Sequence, residues 1–177
     1  AHYIQQGLRI AGDVSSGGSS VGNITVSAIP ADPDLPTMTT TTAGDGGYEF
    51  DNLPPADYTI EFSDTTGAYP TRYYNGSPGG TSDPDAATVI SQAAGSTSAN
   101  FEYPKYTTLT VRVSNKAGTP LNGVNVTAQP ITNGSPDPTI DDASATPVGG
   151  STGAYRLFYL LQGQSYALQF TPSGASL

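Results

Sequence analysis

Apolar residues recur at every second position in short runs through the first half of the chain. Leu8 and Ile10 flank Arg9 and lead to Val14, and Ile24, Val26 and Ala28 alternate with Thr25 and Ser27. Tyr48 and Phe50, then Tyr58, Ile60 and Phe62, continue the pattern, with Glu49, Asp51, Thr59 and Glu61 turned the other way. A period of two sends alternate side chains to opposite faces of a pleated strand, so these runs predict half-buried antiparallel strands. Between them, Gly44-Asp45-Gly46-Gly47 and the stretch from Asn52 to Asp57 supply the Gly, Asp and Pro backbone angles of turns.

The second half repeats the order. Leu109, Val111 and Val113 alternate with Thr110 and Arg112, and Asn115-Lys116-Ala117-Gly118 makes a turn. Val124, Val126 and Ala128 form the next strand, and Tyr155, Leu157 and Tyr159 a further one. Gln162-Gly163-Gln164 then separates these from Tyr166, Leu168 and Phe170. Two copies of one strand pattern predict an all-β protein of two tandem antiparallel, Ig-like sandwich domains, 8–103 and 104–177, joined at Tyr103-Pro104-Lys105-Tyr106. Each core is expected to consist of the alternating Val, Ile, Leu, Tyr and Phe residues. A short stiff linker between the copies is expected to limit bending.

The frame of the repeat is offset. Ser98 to Tyr103 reads as the strand that closes the first domain and runs straight into the next, and residues 1–7 stand in the same relation to Leu8. The first domain continues well beyond Phe62, whereas the second ends soon after Phe170 and lacks a closing strand region. Residues 1–7 are therefore expected to belong to a neighbouring domain or subunit. Two origins fit: a segment cut from a longer array, or strand exchange in which Ala1, His2, Tyr3, Ile4 and Gln5 of one molecule complete the open domain of the next.

Composition narrows the function classes. Residues 1–103 carry twelve acids against Arg9 and Arg72, a net −10, while residues 104–177 carry Asp137, Asp141 and Asp142 against Lys105, Arg112, Lys116 and Arg156, a net +1. Such a chain repels polyanions, which excludes nucleic acid as an expected partner. Without cysteine there is no disulfide or thiolate metal site. No run approaches the ~20 apolar residues of a membrane span, so no membrane insertion is expected. The start of the chain has neither the basic nor the apolar region of a signal peptide, and an exported protein of this sequence is expected as a mature form or a fragment.

Candidate chemistry is thin. The one histidine, His2, lies in the displaced segment, and histidine-based nucleophile triads have little else to draw on, so no catalytic residue is assigned. Asp32 with Asp34, Asp83 with Asp85, and Asp141 with Asp142 are neighbouring carboxylates in Pro- and Ser-rich stretches, read as solvated loop acids. Calcium, which takes six to eight oxygen ligands, is the one cofactor considered, at Asp83, Asp85, Asp141 and Asp142. Asp45 reads as a turn residue. Tyr69, Tyr73 and Tyr74 with Asn75 are the candidate platform for a sugar ring, although alternation buries one of Tyr73 and Tyr74 in any strand. The glycosylation sequons at Asn23 and Asn125 fall inside expected strands.

Several stretches carry a resemblance. The run from Ala43 to Phe50, the run from Asn52 to Ile60, Tyr69-Pro70-Thr71-Arg72-Tyr73-Tyr74-Asn75-Gly76, Ala99-Asn100-Phe101 and the run from Gly118 to Val126 together resemble carboxypeptidase regulatory-like domains and the B-type repeats of Gram-positive surface adhesins. The resemblance implies a transthyretin-like sandwich, an extracellular location and a role as spacer, stalk or fibre segment rather than enzyme. It implies self-association or neighbouring domains of an array as partners. The alternative is an accessory module that binds polysaccharide or matrix protein. Some adhesin domains of this type carry a Lys–Asn or Lys–Asp crosslink; residues 1–104 hold no lysine, and the inward first-strand positions of the second copy are Val111 and Val113, so no crosslink is expected.

Overall fold

A computed structural model describes residues 7–173, and they form an all-β protein with two short 3-10 turns, Pro84–Ala86 and Gln92–Ala94. The chain divides after Pro104 into two compact units. No described helix is long and apolar enough to cross a membrane.

Unit 1 contains β1 (Leu8–Ser16), β2 (Ser19–Ser20), β3 (Thr25–Pro30), β4 (Met38–Thr41), β5 (Gly47–Leu53), β6 (Tyr58–Ser63), β7 (Arg72–Tyr73), β8 (Ser96–Ser98) and β9 (Phe101–Tyr103). One sheet centres on β1, antiparallel to β5 on one side and parallel to β8 and β9 on the other, with the β1–β2 hairpin at its end. The other sheet has the order β4-β3-β6-β7. Alternation drives Leu8, Ile10 and Val14 from the first sheet and Val26, Ala28, Tyr58, Ile60 and Phe62 from the second into one dry interior. Each large apolar side chain so buried contributes roughly 1.5–3 kcal/mol. Ala99, Phe101 and Tyr103 seal it from the returning segment.

Two polar groups inside this frame are fully engaged. Thr42 donates its hydroxyl to the Val21 carbonyl (2.9 Å) and accepts from the Ile24 amide (3.0 Å), which ties the start of β3 to the end of β4. The buried Tyr48 hydroxyl donates to the Ala99 carbonyl at 2.7 Å. Gly12 allows this closure: a Cβ there would lie 2.5 Å from the Ala99 oxygen, so only glycine lets the returning backbone cross β1 so closely.

Unit 2 contains β10 (Tyr106–Arg112), β11 (Val124–Thr132), β12 (Ser135–Pro136), β13 (Ala143–Ser144), β14 (Thr146–Pro147), β15 (Ala154–Leu161) and β16 (Ser165–Pro172). Its sheets are β10-β15-β14 and a sheet in which β11 pairs with β16, β12 and β13. Val124, Val126, Ala128, Tyr155, Leu157 and Leu160 form its core. The Tyr155 hydroxyl ties the β11 approach down, accepting from the Val124 amide (3.2 Å) and donating to the Leu121 carbonyl (3.1 Å).

Each unit carries a register shift at the same place. Between Leu8 and Ile10 the pairing with β5 slips, and Asn52 takes φ 55°; between Thr107 and Leu109 the pairing with β15 slips, and Tyr159 takes φ 58°. The extra residue bulges out of the ladder and reverses the alternation after it. This corrects the expected inward run Tyr155, Leu157, Tyr159: the shift turns Tyr159 outward, 37% exposed, and brings Leu160 into the core instead. A second departure concerns Leu109 and Phe170, which alternation assigns to the core but which are 39% and 48% exposed. Among the described residues no strand lies along β10 on the side away from β15 to cover them.

Candidate functional site

The aromatic stretch expected to carry a ligand begins in the loop after β6. Asp64 organises that loop, accepting from the amide and hydroxyl of Thr66 (both 2.8 Å) and from the amides of Ala68 (2.8 Å) and Tyr69 (3.0 Å). Partial burial works against its charge, but these hydrogen bonds outweigh it and hold the carboxyl below its ordinary range. The fold of the loop delivers the Tyr69 ring onto Tyr103, centroids 4.6 Å apart. Tyr103 donates its hydroxyl to the Phe62 carbonyl (3.3 Å), and Phe101 stacks on Phe62 at 4.3 Å and 14°. Tyr48 meets Phe62 edge-on at 5.8 Å. Tyr69 is thereby part of an aromatic seal over the core, an arrangement worth about 0.5–1.5 kcal/mol per ring pair beyond burial.

Tyr73 and Tyr74 diverge. Tyr73 lies in β7 opposite Glu61, on the outer face of its sheet, and its hydrogen bond with that carboxylate, followed by partial burial, raises its phenol above the ordinary value. Its backbone exchanges hydrogen bonds with Thr81 (2.8 and 3.0 Å). Tyr74 lies just past β7, where its amide donates to the Ile60 carbonyl (2.9 Å) and its carbonyl accepts the Thr88 amide (2.7 Å); the buried Tyr48 phenol is pushed far up, by burial first and by Tyr74 and Asp13 in smaller measure. Asn75 accepts the Ser77 amide at 3.0 Å and shapes the following turn. The stretch is thus divided: the Tyr69 ring packs on Tyr103, while Tyr73 stands on an outer sheet face.

The carboxylates are loop elements. Asp83 caps the turn Pro84–Ala86 by accepting the Asp85 amide (3.0 Å), and its own amide donates to the Thr81 hydroxyl (3.0 Å). Asp32 accepts the Asp34 amide (3.0 Å) and Asp45 the Gly47 amide (3.1 Å). Asp141 and Asp142 line an open depression with Gln129, Pro136, Asp137 and Ile140. Among the described residues no three His, Asp or Glu side chains gather as they would around a metal ion. Lys105 and Lys116 are both exposed. Ala1, His2, Tyr3, Ile4 and Gln5, the expected exchange strand, lie outside the described residues.

Sequence reasoning passed over Asp64 and Asp137. Asp137 takes the Thr132 hydroxyl (2.7 Å) and the Thr139 hydroxyl (2.6 Å) and amide (3.0 Å), and these bonds lower its pKa. The signal was present as Asp64-Thr65-Thr66 and Asp137-Pro138-Thr139, an acid two positions before a threonine that bonds back to it.

The family model for the SdrD B-like domain matches residues 10–106. No curated protein matches the chain. Two solved structures are similar to it at low identity. One is the Bacillus anthracis TIE protein, 14% identical with a TM-score of 0.36 over 94% of this chain. The other is the full-length major pilin SpaD from Corynebacterium diphtheriae, 12% identical with a TM-score of 0.41 over 96% of this chain. The chain spans 28% and 56% of their respective lengths.

Proposed function

The chain belongs to the SdrD B-like domain family, its match covering more than half of the sequence, and from that premise we propose that it is an extracellular structural module, a spacer or stalk segment of an adhesin-type surface protein. One observation carries the reading: the side chains best suited to hold a ligand are used by the framework itself. Tyr69 packs on Tyr103, the Tyr74 backbone bonds to Ile60 and Thr88, Asn75 and Asp83 close turns, and Asp64 holds the loop that brings Tyr69 in. The same use of these groups supports a non-enzymatic role. Its neighbours in this reading are further domains or subunits of an array.

A distance measurement tests it. Fluorophores at the two ends of the chain should report one narrow separation, as a spacer requires. A broad distribution would sink the spacer reading.

The second reading, a polysaccharide- or matrix-binding accessory module, draws support from Tyr73, whose ring and hydroxyl stand on the outer sheet face beside Glu61. It predicts a glycan-array or polysaccharide pull-down signal that falls in Tyr73→Ala. The spacer reading predicts no signal with either protein.

A further inference from the structure

The first sheets of the two units are built on one register. Ile10 stands opposite Phe50 in unit 1 and Leu109 opposite Leu157 in unit 2, with the shift at the same step. Counting from those pairs, the outward positions Asp13, Glu49, Asp51 and Asn52 of unit 1 correspond to Arg112, Arg156, Phe158 and Tyr159 of unit 2. The frameworks agree and the outer faces do not. In unit 1 the face is a solvated charge cluster, where Arg9 bonds to Glu49 and lies 3.4 Å from Asp51, with the three side chains between 43% and 63% exposed. Asp13 and Glu102 are exposed on the same side, which sets four carboxylates against one cation.

Unit 2 puts rings and arginines at these places. The Arg156 guanidinium sits 5.8 Å over Phe158, Phe158 lies 6.1 Å from Tyr159, and Tyr159 lies 6.0 Å from Tyr106. Arg112 is exposed on this side too. The strands β10, β14 and β15 contain no carboxylate; the three acids of unit 2, Asp137, Asp141 and Asp142, lie between β12 and β13, which pair with β11 in the other sheet. Tyr159 supplies an independent observation. Its φ of 58° suits the Asn52 of unit 1 but crowds a ring, and outliers of this kind persist where the side chain has work to do. That work is on the surface, since the ring is 37% exposed.

We propose that this aromatic, cationic face of unit 2 docks on the acidic face of unit 1 of a second copy. The proposal rests on the structural-module reading and names the surface by which one copy meets the next. Charge selects the partner: at two equivalent positions the sign is reversed, Asp13 against Arg112 and Glu49 against Arg156. Sheets laid face to face about a pseudo-twofold axis therefore bring each arginine over a carboxylate. The Tyr159 hydroxyl adds a donor for a further carboxylate, and Arg9 offers its stem and guanidinium to the ring faces. Two faces of the same kind would instead set arginine against arginine or carboxylate against carboxylate. Each copy presents one face of each kind, so the contact joins different surfaces and propagates.

Light scattering on the full chain should show mass rising with concentration, and rising less at high salt, because the pairing charges are exposed. Two charge-reversed proteins, one with Arg112→Asp and Arg156→Glu, the other with Asp13→Lys and Glu49→Lys, should each remain at the mass of one chain. Mixed, they should associate again, since complementary faces now lie on different chains; this recovery also shows that both are folded. Tyr159→Asn, the residue unit 1 carries, should weaken association by about tenfold while leaving the circular dichroism of the chain unchanged. A full chain that stays single at every concentration, a charge-reversed protein that still associates, a mixture that does not, or association indifferent to Tyr159→Asn would each overturn the proposal. None of these surface substitutions alters the end-to-end separation of a single dilute chain, so failure here is distinct from failure of the spacer reading.

Discussion

Asn52 and Tyr159 occupy the same step of the same register shift, one in each unit, and both adopt the left-handed backbone region at φ 55° and 58°. Asparagine enters that region readily, while a bulky ring pays for it in crowding against the neighbouring peptide, at about 1–2 kcal/mol. Tyr159 recovers part of this by meeting Tyr106 edge-on at 6.0 Å. Tyr159→Asn should therefore stabilise unit 2 by about 0.5–1 kcal/mol, seen as slower hydrogen exchange of the buried β15 and β16 amides. Faster exchange would show that the ring pair outweighs the strain.

The stack of Phe101 on Phe62 closes the core of unit 1. Phe101→Ala removes a buried ring and leaves a void where Tyr69 and Tyr103 also meet. A loss of about 3–5 kcal/mol is expected in denaturant unfolding of unit 1. A loss below about 1 kcal/mol would mean that the aromatic seal is not what closes the interior.

Gly12→Val gives unit 1 the residue that unit 2 has at Val111. Its side chain would collide with the Ala99 backbone, and overpacking of this kind costs about 1–3 kcal/mol. The release should be local: amides of residues 96–103 exchange faster while those of the β3–β6 pair keep their protection. Uniform loss across unit 1 would contradict it.

Asp64 links stability to acid. Its folded pKa lies below its ordinary value, so its contribution is fully present above about pH 4 and is lost as the pH falls through the lowered value. Asp64→Asn should flatten the decline of unit 1 stability on acidification and loosen the Tyr69 loop at neutral pH. Denaturant midpoints measured across that range would read it, and an unchanged decline would exclude Asp64 as its source.

Much of this was legible from residues alone. The strands of β1, β3, β5 and β6 follow their alternation, because one face of each meets a core and the other meets water. The parallel return of β8 and β9 beside β1 has only a partial local signal, since the register of strands some ninety residues apart is set by Gly12, Ala99 and Tyr48 meeting in space. Tyr159 was misplaced because a bulge inserts one residue without a composition that announces it; Asn52 at the equivalent step does carry such a cue. The aromatic stretch from Tyr69 to Tyr74 reads as a platform in one dimension. In three, the Asp64 loop and the β-strand period send its rings to different places.

The parallel course of β1 and β9 has a mechanical consequence. The chain enters this pair at the Leu8 end and leaves at the Tyr103 end, beside Ser16, roughly 25–30 Å away along β1. Tension applied between those ends slides one strand along the other, so the bonds between them are strained together in shear. A hairpin pulled from its two open ends peels apart one bond at a time. Unit 1 is thus wired to resist stretching through its topology, with the Phe62–Phe101 stack acting as the bolt between its two sheets.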